Sequence, residues 1–253
     1  KMPRYALVIG ITQNHSSLKT LERSAAEARA IAAVLQNFGN FQVDLMVKPE
    51  ETTYKALEAK LLEFLEQRAL RQEAAIYYTG HGFQLKGTFG KKEAFLAPSD
   101  CLVELDADGQ VVKQQNGLSL TAVNALAAEA ELSNLVMLLD CCHSGYLLEK
   151  SLLKDTFSSF SQKDYWLMTA CRSFQAALAR RVDPYSIFTG AVLAGLQRDR
   201  ANDRGEITAG SLFHFVEEAL RGKPQEPMQL SVGRPIVVVS YPLPAPAPMP
   251  EPK

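Results

Sequence analysis

The sequence predicts an α/β fold, a mostly parallel central sheet of about six strands with helices on both faces. Two patterns point to it. Short apolar runs bounded by Gly, Asn and Asp punctuation alternate along the chain with longer segments whose apolar residues recur at helical spacing. That alternation of strand and helix is the pattern of right-handed crossovers over a parallel sheet. The chain has 253 residues, 47% of them hydrophobic and 22% charged, enough to bury a full core.

Taken in order, YALVIGI (5–11) is a buried strand followed by a loop. From Leu18 the residues Leu21, Ala25, Ala28, Ile31, Ala32, Leu35 and Phe38 follow a helical stripe, and Gly39 stands at the C-terminal cap position. FQVDLMV (41–47) is a strand, 52–69 a helix with Leu57, Leu61 and Leu65 on one stripe, and AAIYYT (74–79) a third strand. A long polar and glycine-rich excursion (82–117) leads to a helix near 119–130 and the strand NLVMLLD (134–140). YWLMTA (165–170) adds a strand, helices are expected near 186–197 and 209–220, and PIVVVS (235–240) begins with the proline that suits an edge strand. The domain is therefore expected to span 1–241. Residues 242–253, with the alternating proline of PLPAPAPMPEPK, read as an extended linker towards a further domain.

Charge and cysteine content narrow the function classes. Twenty-seven basic against 28 acidic residues leave a net charge of −1, so no global field favours nucleic acid or an anionic membrane. No apolar stretch approaches the roughly 18 residues that span a bilayer, and the start lacks a signal-peptide pattern, so a cytoplasmic setting is expected. Four cysteines (Cys101, Cys141, Cys142, Cys171) without a CxxC pair do not make a disulfide framework. Reduced thiols are expected.

Two strands end in reactive groups. YYTGHG (77–82) places His81 just beyond one, and LLDCCHSG (138–145) places two thiols just beyond another. In a parallel sheet both exits lie on the carboxyl edge, where working residues gather. An imidazole that generates or stabilises a thiolate makes a cysteine a competent nucleophile. His143 is nearer in sequence, but successive residues leaving a strand project in opposite directions, which makes His81 the better base for Cys142. The backbone amides of Gly82 and Cys142 are placed to hold an oxyanion, with glycines at 80, 82 and 145 allowing close approach. The chemistry indicated is acyl transfer.

On these residues the chain resembles the caspase-like cysteine peptidases, in particular the metacaspase and bacterial orthocaspase branch. YYTGHG corresponds to the family's histidine motif, DCCHSG to its cysteine motif 61 residues later, and FTGAVLAGL follows as in the family. The resemblance spans the chain from YALVIGI to the last strand and implies a caspase-like three-layer sandwich. It also implies that Cys142, immediately before His-Ser-Gly, is the nucleophile rather than Cys141.

The resemblance carries a specificity too. Caspases that cut after aspartate have a glutamine two positions before the nucleophile, whereas this chain has Asp140 there. A carboxylate at the pocket floor pairs with a guanidinium or ammonium and repels an acidic P1 side chain. Cleavage of protein or peptide substrates after Arg or Lys is the expectation, with Asp100 as a second pocket carboxylate by resemblance. Family members often cut themselves between the nucleophile strand and the next, and Lys150, Lys154 and Lys163 stand in or at the end of that stretch (146–164). A monomer without cofactor is expected; many metacaspases depend on calcium whereas orthocaspases generally do not.

Other readings stay in view. The rival from a different class is a catalytically silent caspase-like module that binds partners, and a flavodoxin-like nucleotide binder lacks a phosphate loop in ITQNHSSL. A zinc site from His81, Cys141, Cys142 and His143 lacks ligand spacing, so no metal is expected. ELDADGQ (104–110) and DRANDRGE (199–206) lack the glutamate of an EF-hand and read as turns. Cys101, Cys141 and Cys171 read as small buried hydrophobes, Arg172 as a surface side chain, and His15 and His214 have no supporting constellation.

Overall fold

The computed structural model describes residues 3–14, 18–86, 90, 92–141, 163–170, 184–223 and 225–243. Its centre is a six-stranded sheet of β1 (Arg4–Gly10), β2 (Phe41–Met46), β3 (Glu73–Thr79), β9 (Asn134–Asp140), β10 (Asp164–Thr169) and β12 (Met228–Val232), in the spatial order β12-β10-β9-β3-β1-β2. All neighbours run parallel except β10 and β12. The expected six-stranded, mostly parallel sheet is therefore present.

Strand periodicity divides the core in two. Leu7, Ile9, Ile76, Tyr78, Met137, Leu139 and Leu167 point to one face, where α2 (Tyr54–Glu63) and α3 (Leu120–Glu129) cover them. Ala6, Val8, Ala75, Tyr77, Val136, Leu138, Trp166 and Met168 point to the other, against α1 (Ser24–Gly39), α4 (Ile187–Gly195) and α5 (Ala209–Leu220). Helices thus sandwich a sheet that is apolar on both sides, as parallel sheets require.

Three sequence expectations need correction. The antiparallel edge strand is MQLSV (228–232); Val237–Ser240 (β13) instead pairs with Glu206–Thr208 (β11) in a separate ribbon. Helix α1 starts at Ser24, six residues after Leu18, and its left-handed C-cap is Asn40 (φ 56°), not Gly39. Gly39 is small for another reason: a Cβ there would lie 2.6 Å from the Phe41 ring. The excursion at 82–117 is largely strand: β4 (Gly82–Lys86) pairs with β5 (Lys92–Leu96), β6 (Leu102–Leu105) with β7 (Val111–Gln115), and β8 (Leu118–Ser119) with β5. The two acidic segments are turns, in which Asp106 and Asn202 side chains accept backbone N–H groups two and four residues on.

Topology places the site. From β1 the chain crosses one way to β2, then returns past β1 to β3 and moves on to β9, with α1 on one face and α2 and α3 on the other. The carboxyl ends of β1 and β3 form the switch point of the sheet, where a crevice opens in α/β folds. A cavity of about 480 Å³ lies there, lined by the segment before α1, the ends of β3 and β9, and the start of α4.

Candidate active site

His81 is held by its backbone. The buried Tyr78 hydroxyl donates to the His81 carbonyl at 2.9 Å, and Ala97 N–H donates to the same oxygen at 3.0 Å. The phenol passes beneath Gly80, where any Cβ would stand 2.6 Å from the Tyr78 oxygen, so the glycine of GHG makes room for this strut. The Ala97 bond makes Gly82 and Leu96 a non-hydrogen-bonded pair, so the Gly82 N–H is not spent on β5.

The imidazole has a defined polarity. His81 Nε2 lies 2.6 Å from the Lys19 carbonyl, which can only accept, so Nε2 carries the hydrogen and Nδ1 presents a lone pair. Burial lowers the imidazole's proton affinity below its usual value, against the weaker opposing effect of the Lys19 bond. Burial thus favours the neutral form of the ring, the form that acts as a base.

Thr79 and Asp140 are register partners at the ends of β3 and β9, with Gly80 N–H bonding the Asp140 carbonyl at 3.3 Å. His81 stands two residues beyond Thr79, and Cys142 two beyond Asp140. Cys142 itself lies outside the described residues, as do His143, Lys150, Lys154, Cys171 and Arg172. Cys141 is described and buried in the core beside Tyr78. Cys101 is buried too, its thiol pushed up to about 12 by desolvation and then by Asp100, which leaves it inert.

Asp140 lines the cavity and is buried. Its Oδ2 accepts from the Ser186 and Thr189 hydroxyls, each at 2.5 Å, at the start of α4. Glu27 of α1, 3% exposed, lines the same cavity. One Glu27 oxygen accepts from the Thr79 hydroxyl and the other from the Ser186 N–H, both at 2.6 Å. Ser186 thus ties both acids to α4 while its Oγ also accepts the Thr189 N–H as the helix N-cap. Burial first, and the nearby Glu27 second, push the Asp140 carboxyl up to about 6. Two acids therefore converge in one small, largely desolvated space, with Lys19 and Arg23 along the segment before α1 completing the wall.

Sequence reasoning missed Glu27, Ser186 and Gln225, which also lines the cavity. Glu27 had a readable signal, an acid on the apolar stripe of Ala28, Ile31 and Leu35. Close packing fixes its position: a Cβ on Gly10 would stand 2.5 Å from the Ser24 carbonyl and 2.7 Å from the Ala28 Cβ, so only glycine lets α1 lie this near β1.

Two expected site residues are elsewhere. The Asp100 carboxylate accepts from Tyr54 N–H at 2.7 Å and from the Asn116 amide at 3.1 Å, joining the start of α2 to the turn after β7, and it does not line the cavity. Lys163 donates to the carbonyls of Ala127, Ala128 and Ala130 at the end of α3. It directly precedes β10, whose first residue pairs with Asn134 at the opposite end of β9 from Asp140. Six residues of strand, about 20 Å, separate that edge from the cavity. Lys163 is thus a helix-capping residue rather than a cleavage position beside the site.

Comparison with known proteins agrees with this architecture. The caspase domain of the peptidase C14 family matches residues 3–234, and the chain belongs to that family of cysteine peptidases. Among solved structures, protein GSU0716 of Geobacter sulfurreducens superposes with a TM-score of 0.64 at 16% identity, covering 92% of this chain and 94% of that one. Caspase-1 of Spodoptera frugiperda superposes with a TM-score of 0.62 at 14% identity, covering 95% of this chain and 91% of that one. At such identities the likeness is one of fold. No curated protein matches the sequence. Among the described residues no cluster of His, Cys, Asp and Glu could hold a metal ion, and no helix is long and apolar enough to cross a membrane.

Proposed function

We propose that this chain is a cysteine endopeptidase that cleaves after Arg or Lys. The observation that carries the specificity is the pair of buried acids, Glu27 and Asp140, in the cavity beside His81. A P1 guanidinium or ammonium entering this space offsets one of the two charges and relieves their mutual repulsion. A P1 carboxylate would add a third like charge, at a cost of roughly several kcal/mol.

In the proposed mechanism His81 takes the thiol proton of Cys142 at Nδ1, since Nε2–H is committed to the Lys19 carbonyl. The thiolate attacks the scissile carbonyl, and backbone amides of Gly82 and Cys142 hold the oxyanion. The imidazolium then protonates the leaving amine. Water hydrolyses the thioester with His81 again acting as base. Self-processing is proposed at Lys150 and Lys154, in the segment after the nucleophile.

The test is hydrolysis of matched fluorogenic peptides with Arg, Lys or Asp at P1, with and without calcium, followed by the mass of the enzyme itself. Turnover of the Arg and Lys peptides, with the Asp peptide at least about a hundredfold slower, is expected. Preference for the Asp peptide would refute the reading.

A further inference from the structure

Gln225 is a polar side chain of the cavity whose oxygen has had no role so far. It is 3% exposed, it lines the cavity with Glu27, Asp140 and Ser186, and its buried Oε1 has no hydrogen-bond partner among the described residues. It sits two residues before Pro227, just ahead of the antiparallel edge strand β12. A buried amide oxygen that meets no donor keeps its full desolvation cost, so such groups are normally paired.

Several donors at the end of β3 and the start of α4 already serve the two acids. The Thr79 hydroxyl and Ser186 N–H serve Glu27, and the Ser186 and Thr189 hydroxyls serve Asp140. A ligand rich in N–H groups would therefore meet two carboxylates, three of whose four oxygens already accept bonds, and one amide oxygen that accepts none. A guanidinium brings five N–H donors in a rigid plane, an ammonium three on a compact sphere. The larger donor set needs the extra acceptor.

We propose that Gln225 reads the P1 side chain, its Oε1 accepting from a guanidinium alongside Asp140 and Glu27, so that the pocket prefers Arg to Lys. The proposal rests on the basic-P1 reading above and adds a ranking within it.

The experiment compares wild type, Gln225→Met and Gln225→Glu on two peptides that differ only in Arg or Lys at P1. Iodoacetamide alkylation of Cys142 is followed in parallel, because it reports the fold and the dyad without using the pocket. Wild type is expected to favour Arg. Gln225→Met, similar in shape but without the acceptor, should lower kcat/KM for Arg by about ten- to a hundredfold, and for Lys by less than about fivefold, with alkylation unchanged. Gln225→Glu restores an acceptor and should keep the Arg substrate within about fivefold of wild type or better. An unchanged Arg-to-Lys ratio in the methionine variant would overturn the proposal. So would a glutamate variant as impaired on Arg as the methionine one. Should the methionine variant unfold, seen as new alkylation of the buried Cys101 and Cys141, the glutamate variant decides. Wild type that alkylates normally yet cuts neither peptide would refute the basic-P1 reading itself, an outcome separate from any change in ratio.

Discussion

Replacing Asp140 with Asn should stabilise the protein and disable its pocket. Asp140 is buried, and its carboxyl is pushed from 3.8 up to about 6, first by desolvation and then by Glu27. Each tenfold in proton affinity is about 1.4 kcal/mol, so above pH 6 the folded chain holds the ionised group about 3 kcal/mol less favourably than the unfolded chain does. Because the folded pKa is raised, the folded state binds the extra proton between pH 3.8 and 6 and stability falls as pH rises through that window. Below 3.8 both states are protonated and the cost vanishes. Asn keeps an oxygen for the Ser186 and Thr189 hydroxyls and has no charge to bury. At pH 7.5 the Asp140→Asn variant should melt about 6–12 °C higher than wild type, and at pH 4 at nearly the same temperature. Its kcat/KM on basic peptides should drop by about a hundredfold or more, the cost of losing a paired buried charge. Thermal denaturation at the two pH values and peptide hydrolysis at the higher one measure both effects. A variant less stable than wild type at pH 7.5, or one with full activity, would refute the reasoning.

Three further outcomes follow from the same geometry. Ser186→Ala removes the α4 N-cap and one donor to Asp140; a loss of about 1 kcal/mol in urea denaturation is expected, together with an acid limb on basic peptides shifted to higher pH, because the carboxylate loses a bond that favours its charged form. The acid limb of Cys142 alkylation should lie below the usual histidine value near 6.5, since burial depresses His81, and in His81→Gln only ordinary thiol ionisation near about 8.5 should remain; an identical limb in that variant would exclude His81 as the base. Arg4→Met should cost about 3 kcal/mol with kcat/KM per folded molecule unchanged, because this buried guanidinium pairs with Glu73 at 2.8 Å and donates to the Gly39, Val237 and Val238 carbonyls far from the cavity; a loss under about 1 kcal/mol on denaturation would contradict it.

The sheet was legible because its strands are nearly continuous apolar runs, and the apolar stripes gave most of the helices. The edge was not. MQLSV carries Gln229 and Ser231 on its outward positions and reads weakly, whereas the more apolar PIVVVS pairs outside the sheet. The hairpins between 82 and 115 alternate charged and apolar residues too irregularly for periodicity to find them, and Asp100 was misplaced with them. Lys163 was legible but unread: a residue just before a parallel strand lies at the opposite edge from residues just after one. Glu27 belongs to the pocket only because the β1–α1 crossover carries it past the end of β3, a contact no local pattern encodes. Its acid on an apolar stripe was the available hint.

The most direct test of the central claim, a thiol at 142 activated by His81 behind a pocket for basic side chains, is covalent labelling by a peptidyl chloromethyl ketone bearing Arg at P1, with the site read by tandem mass spectrometry. One label on Cys142 is predicted, formed at least about a hundredfold faster than with an Asp probe and lost in His81→Ala. Labelling of Cys141 or Cys171, or equal rates with the Asp probe, would contradict it.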